Sequence, residues 1–494
     1  MAEFVLSTLA TYLLGYAVFQ WTIVMSLMLF AMGLGSRVSK KFTRNLLDVF
    51  ICVEFALSLL CASSSALAYG LAAYTSNINL VIYSIAFGIG LLIGLEIPLV
   101  TRLNEEYEEL RINISAVMEK DYFGALLGGL FFAFFALPYL GLTYTPIVLG
   151  AINFLVASVL LWGFLSLVRS RAILVSAFFL CAAYLATLGF MAQPVVRYGE
   201  QVKYRDKVIY AHQTPYQKIV MTRWKDYYWL FLNGQEQFST YDEERYHEPL
   251  VHPALQSTAD RSHVLILGGG DGLALREVLK YPDVRTATLV DLDKGMTDLA
   301  ASNPVLMDIN RNSMKDARAT ILNEDAFSFL KENNDMYGVI IVDMPDPDTV
   351  DMMHVYSLGF YRLILKHLVR GGVMVTQATS PFFATKAFQC IIKTVQAAGF
   401  SVLPYHNNIP TLGEWGWVLG MRAGDIGEDN LKKRVLAADF SGLETRFIDK
   451  EAMISMANFG KGVLEADKLE KIQINNELNP ILYRYYKAGN WGGY

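Results

Sequence analysis

Acids and amides stand where apolar runs stop in the second half of the chain. Asp291 and Asp293 follow "TATLV", Glu324 and Asp325 follow "ATIL", Asp343 follows "VIIV" and Gln377 follows "VMVT". In "VDMPDP", Asp346 follows Asp343 by three residues. Upstream, "VLILGGGDGLALREVLK" sets Gly268, Gly270 and Gly272 after another apolar run. Such a loop lets a ligand approach the backbone at a helix start. Asp291 follows Gly270 by 21 residues, about where an acid reaches ribose hydroxyls in nucleotide-binding sheets. That spacing suits dinucleotides and adenosyl ligands equally. Asp271, inside the loop, is out of place in a plain phosphate cradle, because like charges repel.

The elements that must carry these residues are readable. Uninterrupted apolar runs bounded by turns predict buried parallel strands, and the alternation of strand, glycine loop and helix predicts an α/β sheet whose strand ends rim one crevice. Before it, residues 206-213, 217-223 and 227-233 cluster Val, Ile, Tyr and Trp between turn residues, which predicts a small antiparallel sheet. A polar cluster, Gln237 to Glu248, then enters a helix.

Before residue 193 the chain is of another kind. Apolar runs near 4-34, 47-71, 78-100, 120-140, 144-166 and 172-192 each approach the roughly 20 residues that cross about 30 Å of hydrocarbon. The first is long for one span and short for two, so a partial helix is expected at its start. Arg37, Lys40, Lys41 and Arg44, then Arg102, Arg111 and Lys120, then Arg169 and Arg171 lie in or bracket alternate links, which the positive-inside rule places in the cytoplasm. Six spans would put both termini outside. Glu54 and Glu96 fall within the apolar runs and Asp121 at an edge; Glu96 and Asp121 are expected to pair with Arg102 or Lys120, the alternative being a substrate or ion route. The glycines of "GIGLLIGLE" favour close helix packing.

The net charge of -5 lacks a basic nucleic-acid footprint. The four cysteines have no metal or redox spacing and are expected as buried thiols, and the seven histidines show no ligand spacing, so no metal is expected.

Taken in order, "TPYQKIV", "LNGQEQ", "YDEERYHEPLVHP", "LILGGGDGLALREVLK", "VDMPDP" and "IPT" resemble the spermidine synthase (polyamine aminopropyltransferase) family across roughly 208-420. The apolar front, with "AMGLGS", "GLEIPL" and "DYFGALLGG", resembles the membrane segment fused to some bacterial members. The resemblance implies aminopropyl transfer from decarboxylated S-adenosylmethionine, a co-substrate and not a tightly bound cofactor, to a polyamine acceptor, putrescine by default. It implies Asp343, Tyr246 and Asp346 as catalytic residues, with Gln217, His247, Gly268, Gly270, Asp271, Asp291, Glu324 and Asp325 around the donor. The acceptor side would use Gln237, Tyr246, Asp346 and Gln377, with Tyr246 helping Asp346 hold the amine. Asp271 would act as a filter, attracting the donor's bare ammonium and repelling a donor that keeps its carboxylate.

Departures from the family pattern border the acceptor pocket: Asp348-Thr349-Val350 replace a glycine-proline stretch, and Leu412 and Glu414 stand where tyrosine and a serine-glycine turn are common. Competing readings are another S-adenosylmethionine-type transferase, or a membrane polyamine transporter or sensor.

The expected architecture is a multi-pass α-helical membrane domain (1-193), a small antiparallel β domain (194-256), an α/β Rossmann-like methyltransferase-type domain (257-425) and a helical or irregular extension (426-494). Expected partners are a polyamine and the lipid bilayer, with no nucleic acid, in a homo-oligomer expected as a dimer. The chain is expected in the cell inner membrane. The catalytic domain is expected in the cytoplasm, where an adenosyl donor is made and where Arg197, Lys203, Arg205 and Lys207 would lie, against the span parity.

Overall fold

The computed structural model describes residues 1-14, 17-72, 74-75, 77-104 and 110-491. They form two compact units, Met1–Ile209 and Tyr210–Tyr494.

The first unit is a helical bundle of α1 (Ala2–Leu14), α2 (Ala17–Ser39), α3 (Leu46–Ala72), α4 (Ile78–Asn104), α5 (Leu110–Phe131), α6 (Gly141–Gly163) and α7 (Arg171–Lys203), with a π-helical stretch, Phe132–Leu140, joining α5 to α6. The 27 residues of α3 and of α4 reach about 40 Å at 1.5 Å per residue, enough to cross a bilayer. The short α1 stands apart from α2, as the length of the first run predicts. Helix from Ile112 to Gly163 is continuous over 52 residues, too long for one crossing, and it folds back at Gly141, whose φ is +61°. Its two ends lie on one side: Asn113 Nδ2 donates to Thr101 O (2.6 Å) at the end of α4, while Leu161 packs with Ile51 near the start of α3.

Glycines let α2 and α4 touch backbone to backbone, since a Cβ on Gly94 would stand 2.1 Å from Met32 O. The outer surface is apolar, with Phe190 85% exposed and Phe30, Phe134 and Leu180 also exposed. A water-facing surface of that composition would be an aggregation liability; in lipid it is the solvated state.

Two expectations need correcting here. Helix α7 continues through Pro194 to Lys203, so the chain does not leave the helical unit at 193. Cys52 is exposed on α3, not buried, whereas Cys61, Cys181 and Cys390 are buried free thiols.

The basic links gather at one end of this unit. Arg102 donates to Phe42 O (2.7 Å) and Ser39 O (3.0 Å), and Asp48, beside the start of α3, accepts from the Arg169 and Ser170 N–H groups at 3.1 and 2.8 Å. Helix α7 runs parallel to α3, so that a Cβ on Gly199 would meet Tyr69 O. The chain therefore leaves the bundle at the end opposite the basic links.

The second unit opens with an antiparallel sheet in the order β1 (Lys207–Gln213), β2 (Lys218–Trp224), β3 (Tyr227–Leu232) and β4 (Gln235–Ser239). Then come α8 (Glu244–Ser257), β5 (His263–Gly268), α9 (Leu273–Val278), β6 (Thr286–Val290), α10 (Lys294–Ser302), α11 (Pro304–Ile309), β7 (Ala319–Leu322), α12 (Ala326–Glu332) and β8 (Tyr337–Asp343). They are followed by α13 (Leu358–His367), β9 (Leu368–Gln377), α14 (Thr385–Ala397), β10 (Phe400–Ile409) and β11 (Gly413–Arg422).

The seven-stranded sheet has the order β10-β11-β9-β8-β5-β6-β7, parallel from β9 to β7 and closed by the antiparallel β11 and β10. Both faces of β5 are buried, as its unbroken apolar run predicts. Because β6 and β8 lie on opposite sides of β5, the connections diverge above it and leave a crevice at the strand ends. Helices α15 (Glu428–Leu436), α16 (Lys450–Met456), α17 (Ala466–Lys471) and α18 (Ile481–Lys487) complete the unit, with Leu482 and Tyr486 of α18 buried in its core.

Candidate active site

The parallel register sets Gly268 beside Asp343, and the glycine is required there. Its φ is +85°, and a Cβ would lie 2.1 Å from Asp343 O. Gly270 is equally constrained, since a Cβ would come within 2.6 Å of the Asp291 carboxylate. Asp291 in turn accepts from Gly270 N–H (3.0 Å) and from Asp293 N–H (2.8 Å), and burial pushes it up to about 6. Asp271 accepts from Leu273 N–H at 2.8 Å. Its position in the loop therefore also fixes the start of α9. Burial raises its pKa, opposed by the nearby His247.

Asp343 Oδ1 accepts from the Tyr246 hydroxyl at 2.8 Å, and Tyr246 is buried on α8 against Trp417. Burial raises Asp343 to about 6, with His247 and the tyrosine hydroxyl acting against it and Asp271 acting with it. One turn of α8 separates Glu243 from His247, whose Nδ1 lies 2.8 Å from the Glu243 carboxylate. Arg276 grips that carboxylate with two nitrogens, at 2.7 and 2.9 Å. Burial alone would lower His247, but the Glu243 hydrogen bond and charge overcome it and hold the imidazole up to about 9. A protonated imidazole thus stands near Asp271 and Asp343 and favours their charged forms.

Asp346 sits three residues on, in the loop after β8. Its Oδ2 accepts from the Tyr486 hydroxyl at 2.8 Å and its Oδ1 from Gln377 Nε2 at 3.4 Å. Gln377 also donates to Met344 O (2.9 Å) and contacts the Tyr356 hydroxyl. Burial pushes Asp346 up to about 7, and Asp348 adds to the rise. Asp348 accepts from Gln235 Nε2 at 2.9 Å, with the Lys487 charge nearby. Asp343, Asp346 and Asp348 all keep some exposed surface, as groups lining a crevice must.

The remaining predicted residues are less engaged. Gln217 donates to Asp293 (2.8 Å) and not to Asp291. Asp325 accepts from Ser328 N–H (2.8 Å) as the cap of α12; burial would raise it, but that bond and His354 lower it. Glu324 is exposed, and Gln237 turns back to its own strand at Gln235 O and Glu236 O, both at 3.4 Å. Tyr246, expected to help Asp346 hold the amine, donates its hydroxyl to Asp343. Glu414 is held by His406 across the β10-β11 hairpin, and Leu412 is buried in the core. Among the described residues, no three His, Cys, Asp or Glu side chains are grouped as a metal would require.

Sequence reasoning missed Tyr486, Gln235 and the Glu243–Arg276 pair. The spacing of Glu243 and His247, four apart on one helix, was a usable signal. Nothing local points to Tyr486, which is 140 residues from its partner.

The spermine/spermidine synthase domain family matches residues 243–432. Over 492 residues the chain is 41% identical to polyamine aminopropyltransferase 2 of Aquifex aeolicus, covering 99% of this chain and 96% of that protein. Over 488 residues it is 36% identical to the polyamine aminopropyltransferase of Leptospira interrogans, covering 98% and 94%. The crystal structure of spermidine synthase from Thermotoga maritima overlays with a TM-score of 0.46 at 23% identity, covering 54% of this chain and 88% of that one. With near-complete alignment to both full-length relatives, the chain belongs to the polyamine aminopropyltransferase family and is an enzyme of that kind.

Proposed function

We propose that the chain transfers the aminopropyl group of decarboxylated S-adenosylmethionine to a polyamine, with putrescine as the default acceptor, and releases 5'-methylthioadenosine. The observation that carries this reading is the pair of tyrosine-held carboxylates at the end of β8, Asp343 with Tyr246 and Asp346 with Tyr486. An alkylamine with a pKa near 10 is mostly protonated at neutral pH and must lose a proton before it attacks. Asp346 binds an ammonium of the acceptor, and Asp343 receives the proton from the attacking nitrogen. That nitrogen forms a bond to the carbon beside the donor's sulfonium while the carbon–sulfur bond breaks. The electron pair returns to sulfur, which leaves as the neutral thioether. The protein's contribution is alignment, with Tyr246 fixing the Asp343 carboxylate.

On the donor side, Gly268 and Gly270 admit the adenosyl group, Asp291 takes the ribose and Asp325 the adenine amino group. Gln217 acts through Asp293, which it holds, and His247 keeps Asp343 and Asp271 charged. Asp271 faces the donor's ammonium and disfavours a donor that retains its carboxylate. Gln235 and Asp348 extend the acceptor side, where Gln377 orients Asp346. Glu324 and Gln237 would join the site only by turning toward bound substrates.

The helical unit is read as a multi-pass anchor in the cell inner membrane, and the enzyme as a dimer. Cytoplasmic placement of the transfer site requires the basic links to face away from the cytoplasm. The test of function is mass spectrometry of products from the full chain in detergent, given the donor and a panel of di- and polyamines. One acceptor gaining an aminopropyl unit with stoichiometric methylthioadenosine supports the proposal; transfer of a methyl group instead overturns it.

A further inference from the structure

A carboxylate buried in an apolar bundle is costly unless something balances its charge. Glu54, on α3, is 5% exposed, and among the described residues it makes neither hydrogen bond nor ion pair. Glu96, on α4, is half-buried and equally without a partner. The Arg102 expected to neutralise Glu96 is engaged elsewhere, by Pro98 O, Phe42 O and Ser39 O. Neighbouring Lys120, on α5, is exposed.

The two glutamates stand at one level. Each lies eight residues from the end of its helix nearest the basic links, Leu46 for α3 and Asn104 for α4, which is about 12 Å of helix. These helices pack antiparallel, with Gly88 against Leu60. Glu96 is near enough to feel the charges of both Glu54 and Asp121, and Asp121 is exposed on α5. The three carboxylates thus form a series from the surface to the interior: exposed Asp121, half-buried Glu96 and buried Glu54. Cys61, two turns further along the same face of α3, lies near both glutamates and near the Met1 ammonium, but that ammonium is not among the charges acting on Glu54 or Glu96.

We infer that Glu54 and Glu96 form a second binding site, within the helical unit, for a protonated alkylamine that enters past Asp121. The chemistry selects this class of ligand. Among the described residues no third ligand completes a metal site. A flexible α,ω-diammonium chain alternates charge with methylene, which matches spaced carboxylates separated by apolar walls. The choice of a polyamine over other alkylamines rests on the proposed transfer reaction; the existence of the site does not.

The test is equilibrium binding of radiolabelled spermidine to the full chain in nanodiscs without donor, comparing wild type with Glu54→Gln, Glu96→Gln and the charge-preserving Glu54→Asp. Thermal unfolding of each variant establishes that it is folded. The expected result is loss of one bound amine per chain, or at least tenfold weaker binding at that site, in both glutamine variants and retention in Glu54→Asp. If the transfer reading fails, wild type binds one amine and the glutamine variants none, so the two failures are distinct. Folded Glu54→Gln and Glu96→Gln proteins binding as many amines as wild type, with unchanged affinity, would overturn the site. So would displacement of the amine by an equal concentration of sodium.

Discussion

The two units treat their carboxylates in opposite ways. In the α/β unit the buried acids of the crevice are gripped: Asp343 by Tyr246, Asp346 by Tyr486 and Gln377, and Asp291 by two backbone N–H groups. In the helical bundle Asp48 is capped by backbone at the edge, while Glu54 and Glu96 deeper inside have no partner among the described residues. A gripped carboxylate has a fixed direction, which in-line displacement needs. An ungripped one has charge to offer an arriving cation. The difference separates orienting a reaction from holding a ligand.

Removing charge without removing shape sharpens that contrast most at the donor. Asp271→Asn is expected to lower the preference for decarboxylated over intact S-adenosylmethionine by about 10- to 100-fold, read as the ratio of donor affinities in competition binding, because repulsion of the extra carboxylate is lost. An unchanged ratio would reduce Asp271 to its role at the start of α9.

Next in size is the grip on Asp346. Tyr486→Phe deletes one hydrogen bond to a charged group, a loss of roughly 1.5 kcal/mol, and is expected to raise the acceptor KM about tenfold with kcat changed far less. Equal falls in kcat and kcat/KM would instead make Tyr486 part of the transition state.

The pH dependence tests whether burial governs these acids. With Asp343 near 6 and Asp346 near 7, kcat/KM for the acceptor is expected to fall as pH drops through 7 to 6. Stability has the opposite sign. Both carboxylates titrate above their unfolded values, so their contribution to folding is present below about pH 4 and is lost as pH rises through 6 to 7. Asp346→Asn should therefore raise Tm at pH 8 by a few degrees, at roughly 2–4 °C per kcal/mol, and the gain should vanish near pH 4.

The smallest expected effect is on the ungripped side: Glu54→Gln in detergent is expected to leave aminopropyl transfer within about twofold of wild type, because sites without shared partners do not couple. Sidedness has its own assay. A cysteine placed at Lys41 and one at Lys207 should react with a membrane-impermeant label from opposite faces of sealed vesicles, since the basic links and the chain exit lie at opposite ends of the bundle.

What the sequence disclosed follows from how local each signal is. The parallel strands and their terminal acids were legible because apolar runs and strand-end residues are adjacent in the chain. The fold-back at Gly141 was legible as two runs, and the close packing at Gly94 as a run of small residues. Tyr486 was hidden, since α18 returns to the crevice only by tertiary packing, and "YRYYK" alone reads as a polar tail. Glu96 misled for a related reason: proximity to Arg102 in sequence predicted a pair, but the guanidinium fork found three carbonyls instead.

The most direct test of the account is single-turnover release of methylthioadenosine by Asp343→Asn beside wild type at pH 8, with donor affinity measured separately. General-base removal predicts a fall of about 10²–10⁴-fold with donor affinity within a few fold of wild type. Release at the wild-type rate would contradict it, and with it the assignment of proton removal to the carboxylate that Tyr246 holds.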